Sequence, residues 1–399
     1  MLTRNQYLLC TLLICFAANS ALSQTSLAEF QKVLQEKAAF EQVDFGALQL
    51  NQPVVRLAPV ADKREVAVSG VVNIRARAEE FLKSYRESMT RKSNAAILEI
   101  GGFSKEPSLD DLQNLTIEAR DIEDLKECVV GDCQVKLSAS MIERFRKEID
   151  WESPEPQLAV TNLFKQILLE YVRDYRARGE TALIEYNDKR NEVSLANAQR
   201  ALASASSYIN DALANEKSDL RLVEDAIVWS KIKFGLKPVL AINHITIYQR
   251  EREVGPQVLI VSKQIYANHY FNACNSLTAF VSVPDASQGG YLVYENRSLA
   301  DGLEGPFSGI KRDVVEKKAV EGLRAILERS KLSLEGQALT ASTAESSSYR
   351  SPGWGQRLFG GIRPLLWLLV ISALIALLVL GRRRAEPGRK ALKPESAKS

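Results

Sequence analysis

The chain has 399 residues, 46% of them apolar and 25% charged, with a formal net charge of +3. That balance belongs to a globular protein with a core to bury and excludes a disordered chain. A charge so near zero, with no dense Lys/Arg cluster between Gln24 and Ala338, excludes nucleic acid as the expected partner.

At the start, MLTRNQYLLCTLLICFAANSALSQ sets Arg4 before an apolar run from Tyr7 to Ala18 and closes on small residues. This is the layout of a secretory signal over residues 1–23, cut after Ser23. Cys10 and Cys15 leave with it, and Leu9 and Ile14 before them are too large for lipoprotein processing. Residues 24–63 read as a peripheral lead-in, with Leu27, Phe30, Val33 and Leu34 at helical spacing before a Pro-bearing extended segment. The first part of an α+β domain follows over 64–137. Arg64–Ile74 alternates and is β-branched, hence a strand, and Ala76–Met89 reads as a helix packed by Phe81, Leu82 and Tyr85. Further strands are expected at Ala96–Phe103, at Leu115–Asp121 and on both sides of the turn in ECVVGDCQVKL. There Gly131-Asp132 folds the chain back and brings Cys128 to Cys133, a disulfide in an oxidising compartment. So small a loop is worth only about 2 kcal/mol. Cys274 is left as a buried thiol.

Over residues 138–236 the period changes and predicts a helical insertion of about a hundred residues. Ser140 and Glu143 form a capping box for a short helix ending near Trp151. The next helix carries Val160, Leu163, Phe164, Ile167, Leu168, Tyr171, Val172 and Tyr175 on one stripe and stops at Gly179. Two more are expected, Ala198–Asn215 and Asp219–Phe234. Residues 237–334 return to strands at Pro238–Gln249, Pro256–Tyr266, Leu277–Val283 and Gly290–Asn296, the first two a hairpin, and close on a helix from Phe307 to Ser330. Residues 335–362 read as a flexible stalk. The uncharged run within 363–381 spans about 27 Å as a helix, enough for a thin bilayer. The tail, 382–399, holds seven Lys/Arg against three in the same length upstream, which puts it in the cytoplasm. The expectation is a type I single-pass protein whose folded region is extracytoplasmic.

The order strand, helix, curved antiparallel strands and long terminal helix, over Arg64–Met89 and Pro238–Ser330, resembles the START-like or helix-grip fold. The resemblance implies a sheet wrapped on the last helix around a cavity for an apolar ligand. The stretches GDCQVKL, FGLKPVLAINHITIY, SKQIYANHYF and YLVYENRSLADGL are also similar to a group of exported, membrane-anchored bacterial proteins, a similarity that implies no chemistry.

The stretch VSKQIYANHYFNACNSLTAFVSV gathers the side chains that could form a site. If its strand runs past Tyr266, alternation puts Tyr266 and Tyr270 on one face and His269 on the other. His244 shares a face with Leu240, Ile242, Thr246 and Tyr248. Both histidines read as satisfied core residues before they read as ligands. Arg297 stands four residues before Asp301, the spacing of a local ion pair. The functional reading places Arg297, Tyr266, His269, Tyr270 and His244 at the rim of a cavity, orienting a polar headgroup. Nothing nominates a metal, a cofactor or a catalytic residue: GxSxG, GxGxxG and the P-loop are all missing. Asn114-Leu115-Thr116 and Asn296-Arg297-Ser298 match the glycosylation sequon.

Three functions fit. The first is a membrane-anchored, non-enzymatic domain binding a lipid or apolar small molecule. The second is an envelope scaffold meeting another protein through its helical block. The third is a hydrolase or cyclase with His269 or His244 as base, which needs a carboxylate or tyrosine hydroxyl beside the imidazole.

Overall fold

The computed structural model describes residues 27–89, 96–206, 220–233, 237–250, 255–282, 289–303 and 308–336. The expected signal, transmembrane segment and tail, and nearly all of the stalk, lie outside them. Among the described residues no helix is long and apolar enough to cross a membrane.

Helices α1 (Leu27–Ala38) and α2 (Gln42–Gln49) lead into β1 (Val54–Leu57), β2 (Glu65–Ile74), α3 (Ala78–Met89) and β3 (Ile97–Phe103). Four helices then follow, α4 (Ala119–Lys126), α5 (Ala139–Glu148), α6 (Pro156–Arg178) and α7 (Leu195–Ala205), with the two-residue strands β4 (Glu185–Tyr186) and β5 (Val193–Ser194) before the last. The described residues finish with β6 (Arg221–Ile232), β7 (Val239–Gln249), β8 (Gly255–Ala267), β9 (Phe271–Ser282), β10 (Gly290–Ala300) and the long helix α8 (Ser308–Leu334). The fold class is α+β. Eight strands form one sheet in the order β1-β2-β10-β9-β8-β7-β6-β3, and every neighbouring pair is antiparallel.

The sheet is covered on both faces, which is why its central strands are β-branched runs rather than strict alternations. All eleven residues of β10 are buried. On one face Val66, Val68, Val72, Leu292, Phe280 and Ile260 pack against Phe81 and Tyr85 of α3 and against Val315, Ala319, Leu323, Ile326 and Leu327 of α8. The Phe81 and Phe280 rings stack with centroids 5.6 Å apart. Gly70 lets α8 seat directly on β2, since a Cβ there would lie 2.7 Å from Leu327 Cδ1 and 2.9 Å from Leu323 Cδ2. On the opposite face α1 and α2 bury Phe30, Leu34, Phe45 and Leu48 against Val71, Val261, Leu277 and Val293. Helices α4 to α7 cover the rest of that face, where Ile142, Phe164, Ile167, Leu168 and Leu202 meet Trp229, Leu240, Ile242 and Ile265.

The stripe expected on α6 is buried in full, and Gly179, at φ +60°, ends the helix. The four late strands and the β7–β8 hairpin form as expected. Several expectations are corrected. Residues 221–232 are a strand, because Ile227 and Trp229 face one core while Val228 and Ile232 face the other. The helical insertion therefore ends at Ala205 among the described residues. Leu115–Asp121 is a loop running into α4, whose Ile122 and Leu125 make one buried face. The disulfide turn carries single bridges, Val129 to Asp132 and Asp132 to Lys189, in place of two strands. Ser138, not Ser140, caps α5, its Oγ accepting from Met141 N at 3.3 Å. The lead-in is not peripheral, since α1 and α2 close one face of the sheet. Asn296 is fully buried in β10, so that sequon is closed to a glycan, whereas Asn114 is exposed.

Candidate functional site

Strand β8 does not run on through Tyr270. It stops at Ala267, and Tyr270 takes φ +62° in the turn to β9. A bulge opposite Ile242/Asn243 also turns Ile265 and Tyr266 together toward the core beneath α6. The five candidates therefore separate.

His269 is buried, and its Nε2 lies 3.0 Å from both carboxylate oxygens of Asp121. Asn268 Nδ2 donates to the same carboxylate at 3.2 Å, and Lys237 Nζ lies 3.3 Å from it while also pairing with Asp124. Burial works to raise the Asp121 carboxyl, but the hydrogen bond and charge of His269, with Lys237, hold it below the usual carboxylate range. Asn268 stitches the turn to β7, its Oδ1 accepting from Leu240 N at 2.8 Å. Tyr270 OH accepts from Lys237 N at 3.1 Å, and Tyr266 OH donates to Lys136 O at 3.1 Å.

Beside this turn sits a second ionic group. Lys136 Nζ reaches Asn272 Oδ1 at 2.8 Å, Asp301 Oδ2 at 2.9 Å and Asp188 Oδ1 at 3.6 Å, and stands 4.6 Å from the centre of the Tyr186 ring. Asp301 also meets Lys189 at 2.7 Å. Burial pushes Asp301 up, but Lys136 and Lys189 outweigh it and bring its carboxyl down to about 2. Burial leaves Asp188 raised despite Lys136. The disulfide Cys128–Cys133, with Cα atoms 4.5 Å apart, anchors the segment that delivers Lys136.

Arg297 does not pair with Asp301. Alternation along β10 turns it across the sheet, where Nη1 meets Glu65 at 2.6 Å and Nε meets Glu295 at 2.9 Å, all three side chains being buried. His244 lies under α6, with Nδ1 2.9 Å from Tyr175 OH and Nε2 3.1 Å from Asp225. Both imidazoles thus have the partner that a general base needs. Both nitrogens of His244 are engaged, and the His269 side chain is only 4% exposed. Among the described residues no group of three His, Cys, Asp or Glu side chains could hold a metal ion.

A different set of polar side chains lies on the α3/α8 face. The strand registers align Asn296 with Ser276 and Ser276 with Ser262, Ser298 with Cys274, Tyr294 with Thr278, and Asn243 with Gln264. All are buried, and all are uncharged. Cys274 Sγ accepts from Asn296 Nδ2 at 3.2 Å, the Ser298 hydroxyl lies 2.8 Å from Asn296 Oδ1, and Tyr294 hydrogen-bonds Ser276 and Asn296. Gln264 Nε2 is buried and has no hydrogen-bond partner among the described residues. This is a polar floor set within an apolar face. Two buried amide oxygens without a partner, Gln199 Oε1 and Asn275 Oδ1, belong to the opposite face beneath α7.

Comparison with protein-family models, curated proteins and solved structures finds no match to this chain.

The site expected from sequence missed Asp121, Lys136, Lys237 and Asp301, whose partners stand over a hundred residues away. It missed the polar floor as well. One signal for the floor was available: FNACNSLT and YENRS interrupt β-branched strands with polar residues at both parities, so some must face a core.

Proposed function

We propose that this chain is an extracytoplasmic domain held by its C-terminal segment to the membrane, and that it binds an amphipathic, lipid-like ligand without chemical turnover. The observation that carries the reading is the polar floor on the α3/α8 face. An unpartnered polar group in a core costs about 1–3 kcal/mol, and a face selected for packing alone would hold Val and Ile at Ser262, Ser276 and Gln264. A few convergent polar groups framed by apolar side chains are how ligand sites fix orientation. The apolar frame, Ile245, Ile260 and Phe280, suits a hydrocarbon body, and the uncharged floor suits a hydroxyl or carbonyl head. Because α8 seats directly on β2 at Gly70, the ligand belongs over β8–β10, on the side of the face where α3 packs, rather than in a hollow beneath α8.

The test is organic extraction of the full chain purified in detergent, followed by mass spectrometry. One amphiphile class enriched over the host membrane, and depleted in Gln264→Met, is the expected result. Extracts that match bulk membrane lipid in both proteins would overturn the reading.

A further inference from the structure

The group around Lys136 is arranged as reactants as well as ion-pair partners. Its ammonium nitrogen donates to Asn272 Oδ1 at 2.8 Å, which holds the amine beside the carboxamide whose carbon it would attack. Lys136, Asn272 and Asp188 are each no more than 5% exposed, and the Tyr186 ring walls the amine at 4.6 Å. We propose that Lys136 and Asn272 become joined by an intramolecular isopeptide bond, with Asp188 moving the proton.

The step balances without a co-reactant. Asp188 takes one proton from the Lys136 ammonium, and the freed lone pair attacks Asn272 Cγ to form the new C–N bond. A second proton passes from that nitrogen to Nδ2, the Cγ–Nδ2 bond breaks, and ammonia leaves. The ammonia carries off the proton held by Asp188, so the product is a secondary amide and one ammonium ion. Nothing is oxidised or reduced. The two carboxylates divide the work. Asp301 stays ionised because Lys189 holds it at 2.7 Å from the other side. Among the described residues Asp188 has one cation within salt-bridge reach, Lys136 at 3.6 Å, and burial already favours its neutral form. The bond would tie the segment behind the disulfide to β9 and hold the β8–β9 turn against the loop of Asp188.

Mass spectrometry of the full chain, reduced, denatured and digested with trypsin, decides it. The expected product is a branched peptide joining the Lys136 and Asn272 segments, lighter than their sum by one ammonia, with no cleavage after Lys136. In Lys136→Arg and Asp188→Asn the same segments appear as linear peptides. Wild-type peptides cut normally at Lys136, a link to Asp188 or Asp301 with loss of water, or an undiminished link in Asp188→Asn would each overturn the proposal. The wild-type digest is read from unfolded protein, so a variant that folds poorly leaves that result intact.

Discussion

Replacing Arg297 by Met keeps most of the side-chain volume and removes the one cation that Glu65 and Glu295 share. The three side chains are 5%, 4% and 3% exposed. With Arg297 present, burial and the neighbouring carboxylates already keep Glu65 above its usual range, against the pull of the guanidinium. Without it, two buried carboxylates face each other, and among the described residues the Ser206 hydroxyl, at 2.6 Å from Glu295, is the remaining side-chain donor. Breaking a buried pair in this way costs about 3–5 kcal/mol. A domain holds about 5–15 kcal/mol in total, so the variant should fold but lie close to its limit. Glu65, already raised by burial, loses the guanidinium that pulls it down, so its folded pKa rises further above the unfolded one. The defect is therefore largest at neutral pH and shrinks as acidification protonates Glu65. Urea denaturation followed by far-UV circular dichroism at pH 7.5 and pH 5 reads both quantities. A loss under about 1 kcal/mol at pH 7.5, or a loss that grows on acidification, would refute the reasoning.

While Lys136 is still an unlinked ammonium, Asp301, brought down to about 2 from an ordinary 3.8, contributes roughly 2 kcal/mol that is present above its unfolded pKa and lost as pH falls through the folded one. Acid unfolding of Asp301→Asn should accordingly lack the drop that the unlinked parent chain shows between about pH 4 and pH 2. Gly70→Val drives methyl groups into Leu323 and Leu327 and should destabilise by about 1–3 kcal/mol, measured by thermal or urea unfolding. Replacing Cys128 and Cys133 together by Ser should cost about 2 kcal/mol, and wild type treated with reductant should match the variant in the same assay.

The parts of the fold legible in the sequence are those set by local pattern. Helix α6 has an unbroken 3.6-residue stripe and a glycine stop, and β7 to β10 are β-branched runs between turn residues. Residues 221–232 failed because Ile227, Val228, Trp229 and Ile232 satisfy a helical face as well as a strand buried on both sides. Only the neighbours, β7 and β3, decide between the two. The site was less legible because its contacts are long-range. Asp121 meets His269 across 148 positions and Lys136 meets Asp301 across 165. Local spacing actively misled at Arg297: Asp301 lies past the end of β10, while the strand's alternation points the guanidinium at Glu65, 232 residues away.

The reading of the α3/α8 face stands most directly on Gln264. Its partnerless Nε2 burdens the empty fold and would serve a bound headgroup, so Gln264→Met should separate stability from binding. Native mass spectrometry of the full chain released from detergent, paired with urea unfolding of lipid-stripped protein, measures both. A retained adduct of lipid mass on wild type, absent from a variant that is as stable or more stable, is the predicted result. Wild type without an adduct, or equal adducts on the two proteins, would contradict it.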